Sequence, residues 1–426
     1  MGTLLHTTES LCPVCLTKLP ASIAADVDGV FLEKECVAHG PFRTIIWRGS
    51  QAAYDAWIND AGPADRGHPS GLHRTGEGRC PFACGLCPDH TGESCSAALM
   101  VTSRCNLDCP ICFTRGKAEP LDEPSPAVLE EALAFYRDAS GGPFPLELCG
   151  GEPTVRPDLP AIVSMARDMG FSHIQVNTNG IRLAEDPQLA FRLKEAGATV
   201  MYLGFDGVDD AAYRATTGRN LFEIKVRAVS RCGQAGLAVV LVPVLVPGVN
   251  ADQAGRIIEL AKRWVPTVKG VHFQPVSYFG AYPSVPCDEN RLTLPEILKM
   301  LAEQTRGEIN ESDFVPPGCE HPLCSFQALY MVGRDGRLKA VTKRRGRTDN
   351  DGAAKRVRAV TARQWRANPA RTFTVGGMLF QDAWNIDLAR LRRCIIHIIT
   401  NDKGVVPLCA KYLTARDGRR LYPGLA

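Results

Sequence analysis

The stretch "AALMVTSRCNLDCPICF", Ala97–Phe113, sets an apolar strand-like run directly before a C-x3-C-x2-C triplet, Cys105, Cys109 and Cys112. A strand that hands over to a cysteine loop puts three thiols at its C-terminal end, where β/α enzymes carry their chemistry. Working outward, "PLELC", "HIQVNT" and "TVMYLGF" read as the next strands, and they run into "CGGEPTVRPDL" (149–159), "NTNG" (177–180) and "GFDG" (204–207). Amphipathic helical stretches alternate with them: "PAVLEEALAFYRDA", "LPAIVSMARDMG" and "LAFRLKEAG", then helices starting near Leu221 and Ala251. With "LAVVLVPVLV" and "VHFQPV" as the last strands, six β/α repeats imply right-handed crossovers and a parallel sheet with helices outside, doubly wound or a barrel. One more helix, "LPEILKMLAEQ", precedes a region read as loop-rich.

The bulk numbers agree with a globular chain: 426 residues, 45% hydrophobic and 22% charged, which excludes disorder, collagen and coiled coil. A formal net charge of +3 favours no partner class, although 337–358 holds nine basic and two acidic side chains. That segment reads first as a solvated loop and second as a patch for phosphate, nucleic acid or an anionic lipid headgroup. The N-terminus lacks a secretory pattern, and the longest apolar stretch, Leu237–Val246, is too short to span a bilayer and is interrupted by Pro243. A cytoplasmic protein without a transmembrane segment is expected. There, 17 cysteines, an odd count, point to metal ligation rather than disulfides.

The thiols fall into groups. Cys80, Cys84 and Cys87 repeat the C-x3-C-x2-C spacing in irregular Gly/Pro-rich chain, with Cys95 nearby as a fourth ligand. Four thiolates close an iron–sulfur cluster, whereas three leave one iron open, so the first set is assigned to a closed cluster and Cys105, Cys109 and Cys112 to an open one. Cys12 and Cys15 with Cys36 and His39 form two knuckles of zinc-ribbon or rubredoxin type; three sulfurs and an imidazole suit zinc, with iron as the alternative. Cys319, Cys324, Cys394 and Cys409 would close a second auxiliary cluster, the last two bracketing a hairpin, "IIHIITNDKGVVPL". Cys149 and Cys232 read as packing residues, and Cys287 as a functional thiol or stray ligand.

The four strand-end segments together resemble the radical S-adenosylmethionine (SAM) enzymes from about Ala98 to Phe279. The resemblance implies a partial (β/α)6 TIM-type barrel. It also implies a 4Fe–4S cluster whose open iron chelates SAM, and reductive cleavage to a deoxyadenosyl radical that takes hydrogen from carbon. Gly150, Gly151 and Glu152 are then expected at the methionyl group. Asn177, Asn179 and Asp206 are expected at ribose or substrate, Phe113 beside the cluster and adenine, and Asp206 and Cys287 as catalytic candidates. The flanking cysteines resemble the subgroup that includes tetraether lipid synthase and pterin methylases.

The expected organisation is a metal unit (1–50), a linker with an auxiliary cluster (51–96), the core barrel (97–285) and a cysteine-rich auxiliary-cluster region (286–426). The leading expectation is C–H activation with C–C bond formation, on a lipid whose phosphate the basic segment would hold through peripheral membrane contact. The alternative is a methyltransferase acting on a pterin or other small molecule. A ferredoxin- or flavodoxin-type electron donor is implied and no nucleic acid is expected. A non-catalytic iron–sulfur carrier or a zinc-dependent nucleic-acid binder is the different-class reading; neither needs the GGEP and NTNG segments.

Overall fold

Side-chain parity organises the central sheet. In the computed structural model, β5 (Ser96–Thr102) sends Ala97, Leu99 and Val101 into the core shared with the helices, and Ala98 and Met100 into a second cluster on its other face. The structure describes residues 2–60, 80–82, 89–92, 94–115, 123–140, 142–143, 145–282, 284–316, 320–342 and 371–422.

From β5 the chain alternates through α2 (Pro126–Ala139), β6 (Leu146–Gly150), α3 (Leu159–Asp168), β7 (Ile174–Thr178), α4 (Ile181–Glu185), α5 (Leu189–Ala196) and β8 (Val200–Gly204). It continues with α6 (Asp210–Thr217), α7 (Phe222–Gln234), β9 (Ala238–Val242), β10 (Val244–Leu245), α8 (Ala254–Arg263), β11 (Val268–Pro275) and α9 (Leu294–Gln304). Strands β5, β6, β7, β8, β9 and β11 pair in parallel, in that order, so the expected β/α architecture is present. The run expected as one strand over 237–246 is two, because Pro243 has no N–H to continue the ladder; its carbonyl instead accepts from Gln274.

The region after α9 departs from the loop-rich expectation. Strands β12 (Ser325–Val332), β13 (Leu338–Ala340), β14 (Thr372–Met378), β15 (Ile396–Thr400) and β16 (Gly404–Pro407) extend the barrel sheet at both edges, β14 parallel to β11 and β15 parallel to β5. The expected hairpin is β15–β16. Behind it, Tyr278, Phe279, Trp384 and Tyr412 build an apolar cluster that includes Cys149 and has Phe113 packed against it.

The N-terminal unit is an antiparallel meander, β1 (Thr3–Leu11), β2 (Lys18–Ala25), β3 (Val30–Cys36) and β4 (Gly40–Trp47), followed by α1 (Gln51–Asp60). It is seated by polar contacts: Arg48 on Glu296 at 2.8 Å, Lys34 on the Ala383 carbonyl at 2.8 Å, and Trp57 on the Pro322 carbonyl at 2.9 Å. No helix among the described residues is long and apolar enough to cross a membrane. Most of the basic segment, 343–358, lies outside the described residues.

Candidate active site and metal centres

Two tight turns bring four ligand atoms together at the N-terminal meander. The β1–β2 turn closes with Leu16 N–H on the Cys12 carbonyl, Leu16 taking a positive φ of 59°, and the β3–β4 turn with His39 N–H on the Cys36 carbonyl. The ligand atoms of Cys12, Cys15, Cys36 and His39 all lie within 4.8 Å of one another. Zinc bonds of about 2.3 Å to sulfur and about 2.0 Å to nitrogen give tetrahedral edges of roughly 3.8 and 3.5 Å. The observed edges are 3.9 Å for Cys15–Cys36, 3.6 Å for Cys12–His39 and 3.4 Å for Cys36–His39. The set fits one tetrahedral ion.

The cysteine loop after β5 is seated by the glycines of β6. A Cβ on Gly150, whose φ is +132°, would fall 2.1 Å from the Thr102 carbonyl oxygen, and one on Gly151 2.3 Å from that of Arg104. The backbone N–H groups of Gly151 and Glu152 donate to those same two carbonyls at 2.8 Å. The space the glycines leave is thus filled by the loop's own backbone. At the other end of the loop Cys112 and Ala281 exchange both backbone hydrogen bonds at 2.9 Å. Phe113 packs edge-on to Tyr412, with ring centroids 4.9 Å apart. Burial raises the Cys105 thiol, and burial together with Cys112 and Cys105 pushes Cys109 up to about 12. A bound cation would let such thiols act as thiolate ligands, and the three-cysteine donor set fits a cluster with one open iron.

Glu152 is buried and its carboxylate is occupied: it accepts from the Thr154 N–H at 3.0 Å, the Thr178 hydroxyl at 2.7 Å and the Asn179 N–H at 2.6 Å. Asn179 in turn donates to the Asn106 side chain in the cysteine loop at 2.7 Å. These two expected SAM contacts therefore brace the ends of β6 and β7 against the loop. Asp206 is also engaged, by the Thr216 hydroxyl and the Val244 N–H, both at 2.9 Å. Lys225, absent from the expected set, is buried beside them: it donates to the Asn179 carbonyl at 2.6 Å, and its nearest charges are Asp206, then Glu152 and Cys109. Its spacing on α7 gave the signal, since Lys225 precedes the buried Ala228, Val229 and Cys232 at i+3, i+4 and i+7.

Inside the barrel, the sequence reading found Asn177 and missed its neighbours. Asn177 donates weakly to Glu147 at 3.5 Å, and Gln175 donates to both Glu147 (3.1 Å) and Asn177 (2.7 Å). Tyr202 and His272 complete this polar face, their ring centroids 6.0 Å apart, and burial lowers the imidazole to about 4. Polar residues at alternate positions of otherwise apolar parallel strands were the available signal, because strands buried on both faces read as continuous apolar runs.

The later cysteines converge in part. Arg390 is buried and donates to the Cys324 sulfur at 3.1 Å, with Cys409 next among the charges that raise its pKa. Burial and then Cys409 raise the Cys394 thiol, and burial pushes Cys409 up to about 12. Cys80 lies in the apolar cluster with Leu11 and Leu16, and Cys95 donates its N–H to Ile395, next in the chain to Cys394. Cys84, Cys87 and Cys319 lie outside the described residues. Cys149 and Cys232 are buried. Cys287 is exposed and caps a short turn, Asp288–Asn290, that carries contacts of Arg48 and Ile45.

Comparison with known proteins adds identity. Residues 99–261 match the family described as the radical SAM superfamily, and 4–48 match the HMPTM N-terminal zinc ribbon domain. A 7,8-dihydro-6-hydroxymethylpterin dimethyltransferase of Methanocaldococcus jannaschii is 33% identical over 94% of this chain and 92% of its own length. A probable GTP 3',8-cyclase of Thermoplasma volcanium is 30% identical over 39% of this chain and 50% of its own, and an Fe-coproporphyrin III synthase of Methanosarcina barkeri 31% over 33% and 34%.

Proposed function

The chain belongs to the radical SAM superfamily, and we propose that within it this enzyme transfers a methyl group to a pterin or a similar small heterocycle. It is a radical SAM enzyme, with a 4Fe–4S cluster and SAM as cofactors and a zinc ribbon at its N-terminus. The observation that carries the finer reading is the full-length likeness to a pterin dimethyltransferase, which spans the ribbon, the barrel and the C-terminal strands. Likeness to the cyclase and the porphyrin-related synthase covers only 39% and 33% of the chain.

The barrel interior supports the same choice over the lipid coupling expected first. A hydrocarbon tail beside Glu147, Gln175 and Asn177 would cut their remaining hydrogen-bonding capacity off from water and offer nothing in return, at a cost of about 1–3 kcal/mol for each group left unmet. A flat heterocycle, with hydrogen-bonding edges and apolar faces, suits both these groups and the nearby Val200, Val240 and Val242.

When bound, the cluster and SAM supply reductive cleavage of a carbon–sulfur bond, and with it a radical able to take hydrogen from carbon. Cys105, Cys109 and Cys112 would hold the cluster. Glu152, Asn179 and the β6 glycines fix that loop over the barrel, and Lys225 offsets the negative charge gathered there. Cys324, Cys394 and Cys409, with Cys319, would hold an auxiliary cluster that accepts or relays an electron, as would Cys80, Cys84, Cys87 and Cys95. A ferredoxin- or flavodoxin-type protein would donate the electron.

Anaerobic reconstitution with SAM and a reductant tests this. Deoxyadenosine is expected from the wild type and none from the triple alanine variant of Cys105, Cys109 and Cys112, with zinc retained in both. A dihydropterin substrate should gain a mass increment of methylation; lipid coupling without that increment would overturn the reading.

A further inference from the structure

We propose that Glu147 is the residue that selects the substrate, its carboxylate accepting two parallel hydrogen bonds from the amino group and adjacent ring N–H of a 2-amino-4-oxopyrimidine edge. This rests on the pterin reading above and names the group within the barrel that enforces it.

Position comes first. Glu147 lies in the middle of β6, between Leu146 and Leu148, which belong to the helix-side core, so its own side chain points to the barrel interior. It sits three residues below Gly150, about 10 Å along the strand from where the cysteine loop is seated. A bicyclic ring standing on Glu147 would present its far end toward that loop.

The carboxylate is oriented but not saturated. Its Oε1 accepts from the Ser96 hydroxyl at 3.2 Å, and its Oε2 from Gln175 at 3.1 Å and from Asn177 at 3.5 Å. Those three donors leave part of its acceptor capacity unused, and among the described residues no lysine or arginine is among the groups that act on it. It also keeps some solvent-accessible surface, as do Asn177, Tyr202, His272 and Gln274.

A second strand also contributes polar side chains to the interior. On β11, Val271 and Phe273 join the helix-side core, and His272 and Gln274 alternate with them toward the interior. Among the described residues neither side chain has a hydrogen-bond partner. A carboxylate with acceptor capacity to spare, in an interior that also carries an imidazole and an amide, can receive the paired amino and ring N–H donors of a pterin edge. Paired, parallel hydrogen bonds to a carboxylate combine strength with geometric selectivity.

The test is equilibrium binding, under anaerobic conditions, of 7,8-dihydro-6-hydroxymethylpterin and of the corresponding lumazine to the reconstituted enzyme and to Glu147→Gln. The lumazine has an oxo group in place of the 2-amino group and so sets an acceptor against the carboxylate. The wild type is expected to prefer the pterin by about tenfold to a hundredfold. The glutamine variant, whose amide offers one donor and one acceptor, is expected to lose that preference and favour the lumazine, with iron and zinc content unchanged. If the wild type binds both ligands equally, or the variant keeps the pterin preference, the assignment of Glu147 is overturned and methyl transfer stands. If the wild type binds neither ligand, the pterin reading falls, and the assignment of Glu147 with it. The wild-type comparison decides even where the variant fails to load its clusters.

Discussion

Lys225 shows what a single buried charge does at this barrel mouth. Its ammonium is held on the Asn179 carbonyl and over the Tyr213 ring, 5.6 Å from its centroid, with Asp206, Glu152 and Cys109 as surrounding negative groups. Replacing it by methionine leaves Asp206 and Glu152 buried without a counter-charge, a class of change that costs about 3–5 kcal/mol. Lys225→Met is therefore expected to lower deoxyadenosine formation at least ~10-fold, and Lys225→Arg to restore part of it, as measured by chromatography of the quenched reaction. His272 gives a pH prediction with a definite sign. Burial lowers its pKa from 6.5 to about 4, so between those values the unfolded chain binds more protons than the folded one. Stability should fall as pH drops through that window, by about 1 kcal/mol at pH 5.5. Melting temperatures of the wild type and His272→Gln at pH 7.5 and 5.5 check it: the gap between the two should move in the variant's favour at the lower pH. Sequence reading singled out the four ribbon residues that the structure brings together because thiol spacing is local. It passed over Lys225 and Glu147 because a charged residue on an amphipathic helix or within a strand looks solvated until its face is assigned.

At the scale of elements, the loop after β5 depends on two missing side chains. Gly151 lies 2.3 Å, measured from an added Cβ, from the Arg104 carbonyl oxygen, and 2.6 Å from that of Ser103, both backbone atoms that cannot swing aside. Gly151→Ala should push the cysteine loop off β6. The expected outcome is lower iron content with zinc unchanged, and a loss of about 1–3 kcal/mol in stability, read by metal analysis and thermal melting. If iron stays at the wild-type level, the glycine does not set the loop's seat. The helices that were legible are those with a long apolar stripe: α2 buries Leu129, Ala132, Leu133 and Tyr136 at helical spacing. The others had less to show. Helix α1 buries only Tyr54 and α4 spans five residues, so neither carries a period, and β1 is mostly exposed over its first half.

At the scale of the molecule, the barrel is completed from a distance. Strand β14 pairs with β11 about 100 residues earlier in the chain, and β15 with β5 about 300 residues earlier. No local pattern could announce such pairings, which is why this region read as loop. The zinc ribbon is tied to the same distant segment. Lys34 is buried, donating to the Ser10 hydroxyl at 3.0 Å and to the Ala383 carbonyl at 2.8 Å. Ala383 follows Asp382, whose carboxylate is paired with Arg291 at 2.9 and 3.1 Å out of contact with solvent. Loss of the ion from Cys12, Cys15, Cys36 and His39 would free the β1–β2 and β3–β4 turns and loosen β3, from which Lys34 projects. The ribbon's link to the cysteine loop is indirect: the Pro13 carbonyl accepts from Arg416, and Arg420 donates to the Phe113 carbonyl. Cys36→Ser should therefore lose its zinc and melt earlier, yet keep the iron of the radical site and form deoxyadenosine at the permissive temperature. Proteolysis should cut first within 1–50. If deoxyadenosine formation instead falls in proportion to zinc, the ribbon does more than brace the C-terminal strands and must act on the barrel mouth itself.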